Sequence, residues 1–104
     1  GEAPVIAHNA AFDAAVVHAE CARTVVSRSR LPLYCSLRVA RAVLRRGTDV
    51  PSHALGALAR WASVEAPEAH RALADCLTLA GVLRELLRRS GRTLEDLHGP
   101  AGRL

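Results

Sequence analysis

The chain has 104 residues, half of them apolar, which suffices for one small domain with one core and is too little for two. No apolar run approaches the roughly twenty residues that span a bilayer, and no charged-then-apolar leader opens the sequence, so a cytoplasmic protein without a membrane partner is expected. The formal net charge of +4 favours an anionic partner only mildly; all fourteen cations are arginine, and the absence of lysine beside abundant alanine and leucine reads as genomic base composition before function.

In chain order, Pro4, Val5, Ile6 and Ala7 form a short apolar run that reads as a buried strand, and 10–21 carries apolar residues at helical spacing. Residues 24–32, with Arg23 just before them and Arg28, Arg30, two serines and Pro32 among them, read as a polar connection. Leu33, Tyr34 and Cys35 give a second short strand. Ser36 is a good N-cap for a helix over 37–46, stopped by Gly47, with an apolar stripe of Leu37, Ala40, Val43 and Leu44. On that helix Arg38, Arg41 and Arg45 share a face, read as solvated.

Ser52 caps a further helix over 53–61, where Trp61 is expected to pack against its neighbours. The longest periodic segment is 69–87, with Leu73, Cys76, Leu77, Ala80, Leu83 and Leu87 along one side. Ser90 and Gly91 end it, Thr93 caps a short turn through Leu97, and the glycine-rich tail after it is expected to fray. The fold expected is α/β, with two short strands and four or five helices, residues 1–90 forming a partial domain and 91–104 a tail. Cys21, Cys35 and Cys76 lack metal-type spacing and read as reduced core residues. His18, His53 and His98 are dispersed and do not suggest zinc.

Two segments stand out: His8 to Asp13 and His70 to Asp75 each set an aspartate five residues after a histidine. Each aspartate falls where a helix begins, and there the positive end of the helix dipole favours a negative charge. Fixed carboxylates are what a magnesium site needs. A lone first-turn aspartate is ordinarily a helix-stabilising charge, and a lone aspartate in an apolar stripe ordinarily turns to solvent or an arginine. The strand before His8-Asn9, the Phe12-Asp13 pair, the leucine-rich 55–59 and the string 72–80 change that weighing.

Together these residues, over about 4–88, resemble the second and third motifs of the DnaQ-like (DEDDh) 3′-to-5′ exonucleases. The resemblance implies a partial ribonuclease H-like fold. It implies that Asp13 and Asp75 are catalytic metal ligands, that His70 is the general base, and that His8, Asn9 and Phe12 cradle the terminal nucleotide. The implied cofactor is a pair of Mg2+ or Mn2+ ions, the implied substrate a single-stranded DNA or RNA 3′ end, and a polymerase or other fused domain an implied partner. The nearest functional type is an exonuclease like the epsilon subunit of DNA polymerase III.

One motif is missing. The family's first motif is Asp-x-Glu, and none of the ten acids here forms it. Two cations about 3.5–4 Å apart need several carboxylates against their mutual repulsion, and Asp13 with Asp75 supplies two charges against four. With no methionine, and with Gly1 to Pro4 leading straight into a strand, the chain reads as a C-terminal fragment whose site is incomplete. The rival expectations are a non-catalytic interaction module and a basic helical nucleic-acid-binding domain.

Overall fold

The computed structural model describes residues 4–24, 31–65 and 72–103. Strand β1 (Val5–Ala7) runs into helix α1 (Ala10–Thr24), which crosses back to strand β2 (Pro32–Cys35). β1 and β2 pair in parallel, Val5 opposite Leu33, Ile6 opposite Tyr34 and Ala7 opposite Cys35. A parallel pair needs such a crossover, and α1 provides it. Asn9 makes the corner with φ of 70°, a left-handed conformation that asparagine adopts more readily than most residues.

Helix α2 (Ser36–Val43) follows β2 with no loop between them. Ser36 was expected to cap it. Cys35 occupies that position instead, and Ser36 is the first helical residue, fully buried. The helix also ends earlier than expected: Leu44 is already extended, and Gly47, with φ of +87°, turns a short loop in which Arg46 bridges Val50. Its buried face is Ser36, Val39 and Ala40, continued by Leu44. Leu37 and Val43 are only partly covered.

Helix α3 (Leu55–Ala62) starts two residues later than expected, with Ala54 as its cap; the Ser52 hydroxyl accepts from the Ala54 N–H outside the helix. It ends on Ser63 in the left-handed conformation, with Ser63 and Val64 N–H groups reaching back to the Arg60 and Ala59 carbonyls. Val64 then lies against Gly81 of helix α4 (Ala72–Ser90), where a Cβ would approach within 3.0 Å of it. Trp61 takes the guanidinium of Arg89 over its ring at 4.2 Å.

The core joins α2, α3 and α4 through Val39, Leu58, Val82 and Leu86, all fully buried, with Leu44, Val50 and Leu83 around them. The expected stripe on α4 is therefore rotated. Thr78, Val82, Leu83 and Leu86 face inward, Leu87 is partly covered, and Cys76, Leu77 and Ala80 are exposed; the Leu73 side chain lies outside the described residues. The cysteines are free thiols, Cys21 and Cys35 partly buried and Cys76 exposed, so none is a buried core residue.

Helix α5 (Leu94–His98) opens with a complete capping box, the Thr93 hydroxyl accepting from the Asp96 N–H and the Asp96 carboxylate from the Thr93 N–H. Past it the chain does not fray. Strand β3 (Gly102–Arg103) pairs antiparallel with β2, Leu33 opposite Gly102, giving a mixed sheet in the order β1, β2, β3. The expectation of two strands thus becomes three among the described residues. No described helix is long and apolar enough to cross a membrane.

Candidate active site

The turn between β1 and α1 is held by a chain of partly buried polar contacts. The Nε2 of His8 lies 2.7 Å from the His53 carbonyl and must carry the proton there; its Nδ1 then accepts from the Ser36 hydroxyl at 2.9 Å. Burial holds the ring below the ordinary histidine range, the His53 carbonyl opposes that, and the neighbouring charges of His53 and Arg41 add to it. His8 is accordingly neutral at pH 7. Both of its nitrogens are engaged within the chain, so a direct polar contact to a substrate would have to replace one of these bonds.

Cys35 stands where the starts of α1 and α2 meet. The Ala10 N–H donates to its Sγ at 3.3 Å. Burial works against ionising the thiol, yet the N–H groups of Ala10, Arg38, Asn9 and Leu37 together outweigh it and leave the thiol below its ordinary value. Its own N–H donates to Nε2 of buried His98 at 3.0 Å, and the edge of Tyr34 stacks on that ring at 5.0 Å. Nε2 of His53 donates to the Leu44 carbonyl at 2.9 Å. These histidines brace backbone across long stretches of sequence, which no local spacing could have announced. Ser36 as a partner of His8 was missed for the same reason.

Asp13 lies in the first turn of α1 and is exposed; Asp75 lies in the first turn of α4 and is half-buried. Neither makes a hydrogen bond or ion pair with a described residue. An apolar groove lined by Ile6, Cys76, Leu79, Leu83 and Leu87 runs between β1, the strand that leads into α1, and the stretch of α4 that follows Asp75. Phe12 falls in the first turn of α1, and the place of its ring lies outside the described residues. His70 lies outside them too.

The two aspartates are suitable ligands for a hard divalent cation, being oxygen donors with no competing cation among the described residues. In number they fall short. Among the described residues no group of three or more histidine, cysteine, aspartate or glutamate side chains could hold a metal.

This arrangement, a strand turning into a helix with an aspartate in its first turn and a second aspartate opening a later helix, agrees with the comparisons with known proteins. Residues 2–83 match the RNase T model, described as an exonuclease. The chain belongs to the DnaQ-like exonuclease family, and its α/β architecture is that of a ribonuclease H-like fold. It is 37% identical over 91 residues to a Mycobacterium tuberculosis (strain CDC 1551 / Oshkosh) protein provisionally named a bifunctional exonuclease/endonuclease. That match covers 88% of this chain but only 14% of the relative, so the chain spans about one-seventh of that protein's length. No solved structure matches it significantly.

Proposed function

We propose that this chain is the part of a 3′-to-5′ exonuclease that carries its second and third motifs, acting in the cytoplasm on phosphodiester bonds at DNA or RNA 3′ ends. The observation that carries the reading is the pair of carboxylates, Asp13 and Asp75, that have no partner among the described residues, each in the first turn of a helix inside the matched exonuclease region. A half-buried carboxylate without a cation is costly, and a divalent ion is the partner that the family's chemistry would supply.

Asp13 and Asp75 would hold Mg2+ or Mn2+ together with further carboxylates of an Asp-x-Glu strand that is not among these 104 residues. Bound there, the ions would polarise the scissile phosphate and stabilise the leaving oxygen. His70 takes the proton of the attacking water, a task matched to an imidazole that titrates near neutral pH. Asn9 and Phe12 flank the terminal nucleotide at the β1–α1 corner. His8, bonded on both nitrogens, positions that corner.

The test follows a 5′-labelled and a 3′-labelled single strand in Mg2+ and Mn2+, with the chain alone and with a polypeptide supplying a strand that bears Asp-x-Glu. Release of the 3′ label as mononucleotide with stepwise shortening of the 5′-labelled strand, only in the complemented mixture and abolished by His70→Ala, is the expected result. A complemented form that cuts nothing, or one that is indifferent to His70→Ala, removes the catalytic assignment. The interaction-module alternative has one observation behind it, Leu77 of α4 standing 65% exposed, and gains ground in that case.

A further inference from the structure

Arg38, Arg41 and Arg45 are all exposed, as their spacing suggests, but only the first two belong to α2. Because α2 stops at Val43, Arg45 falls past the helix and gives its N–H to the Asp49 carboxylate at 2.7 Å. Arg38 and Arg41 remain on the helix, and Arg46 joins them from the loop. Two clefts, of about 440 and about 420 Å³, adjoin along a shared ridge of Asn9, Leu37 and Arg41. The first is flanked by Arg38 and Arg103, the second by Arg46, Ser52 and His53.

The charge on this surface is one-sided. None of the described residues lining either cleft is acidic, and Arg38, Arg41, Arg46 and Arg103 make no ion pair with a described residue. Elsewhere Arg23 is paired with Glu20, and Arg88 and Arg89 both with Glu85, while Arg45, Arg60, Arg84 and Arg92 also lack an ion pair with a described residue; what sets the clefts apart is four such arginines around linings with no described acid. Four like charges around concave ground repel one another, and an anion that settles among them relieves this.

We propose that the Arg38, Arg41, Arg46 and Arg103 surface is a track for consecutive phosphates of a single-stranded nucleic acid, leading to the start of α1. Guanidinium groups suit phosphate because their planar forks donate in pairs. Two clefts sharing one arginine match a chain of phosphates better than a single ion. No phenylalanine, tyrosine or tryptophan is among the described lining residues, so the track grips backbone charge and does not stack bases. Ala10 lines the first cleft, and Asp13 lies three residues on, about 4.5 Å further along the helix axis. Choosing nucleic acid over another polyanion rests on the nuclease reading; the phosphate site itself does not.

The test is binding in EDTA, where nothing is cut, of a fluorescent oligothymidylate to the 104-residue chain by anisotropy across a salt series. The combined Arg38→Gln, Arg41→Gln and Arg46→Gln variant should bind at least about tenfold more weakly at low salt and lower the slope of log K against log salt by about 2, three phosphate contacts at roughly 0.7 each. The same three positions changed to lysine should keep the slope, which separates lost charge from lost fold. Changing Arg88 and Arg89 to glutamine should leave it as it was. Inorganic phosphate at constant ionic strength should compete weakly, by under about a tenth of its effect per mole of phosphate in the oligonucleotide; equal competition would make this a single-anion site and overturn the track. Unchanged affinity and slope in the glutamine variant overturn it as well, whether or not the complemented enzyme cuts. If the variant loses binding while the complemented enzyme never cuts, the track stands and the nuclease reading falls.

Discussion

The two long helices open and close alike, and rest on very different supports. α1 begins with Asp13 in its first turn and ends with Arg23; α4 begins with Asp75 and ends with Arg88 and Arg89, so each charge complements its helix dipole. α4 buries Thr78, Val82, Leu83 and Leu86, whereas Ala10 is the one described residue of α1 that is buried and Val16 stands 48% exposed. Even α4 leaves its first half open, with Cys76, Leu77 and Ala80 exposed. The candidate aspartates thus stand outside the main buried cluster, Asp13 exposed and Asp75 half-buried. Stability is concentrated a dozen residues away, in the second half of α4.

The sharpest way to break this contrast is to truncate one apolar residue on each helix. Leu86→Ala should cost about 2–5 kcal/mol, because a fully buried leucine leaves a cavity that α2 and α3 cannot fill. Val16→Ala on exposed α1 should stay within about 0.5 kcal/mol. Urea melts of the two variants decide it, and equal costs would show that α1 belongs to the core after all. Next in size is Gly81→Leu. The Val64 side chain already sits where a Cβ would go, at 3.0 Å, so the larger residue should push α3 from α4 and cost about 1–3 kcal/mol in the same measurement.

A smaller effect belongs to the β1–α1 corner. Folded His8 binds its proton only below the ordinary value of 6.5, chiefly because burial disfavours the charge, while the unfolded chain takes one up near 6.5. Between those two pH values the unfolded state holds more protons, so stability rises with pH there. The His8 contribution is therefore complete above pH 6.5, declines as pH falls below it, and levels off beneath the folded value. The readout is the difference between the parent and His8→Gln. A difference that does not change between pH 7.5 and 5 would mean that the ring is not held neutral.

What was legible in the sequence follows the same division. Motif spacing located the strand-to-helix corner, both first-turn aspartates and the family, because those depend on residues close together in the chain. It misjudged which side of α4 faces inward: Cys76, Leu77 and Ala80 fit the period as well as Thr78, Val82 and Leu86 do, and only the packing of α2 and α3 chooses between them. It assigned Ser36 to a cap because a serine before a helix usually is one. In the fold Cys35 takes that place, since the β2 backbone enters α2 without a turn and leaves the Ser36 hydroxyl to His8, 28 residues away. The third strand was hidden behind Gly99 and Pro100, which read locally as a loose end; Gly102 and Arg103 pair only because α5 returns the chain to β2.

The smallest expected change in stability is also the most informative about function. Asp13 is exposed, partnerless among the described residues and placed at a helix start, so its only structural contribution is to the dipole of α1, about 0.3–1 kcal/mol at low ionic strength and less in salt. Asp13→Asn keeps the side chain's size and should leave the melting curve within about 0.5 kcal/mol of the parent at physiological salt. If the carboxylate is a metal ligand, the same substitution should remove Mg2+-dependent release of mononucleotides from the complemented enzyme altogether. Asp75→Asn is the matching change on α4. Its half-buried carboxylate lacks a described partner, so losing the charge should cost only the dipole contribution, within about 0.5 kcal/mol at physiological salt, and should silence the enzyme to the same degree. Activity lost at both helix starts with stability kept at both would mean that the two aspartates are maintained for a cation and not for the helices they begin. Activity surviving at either one would confine that residue to the dipole role, and the likeness between α1 and α4 would then be one of helix design alone.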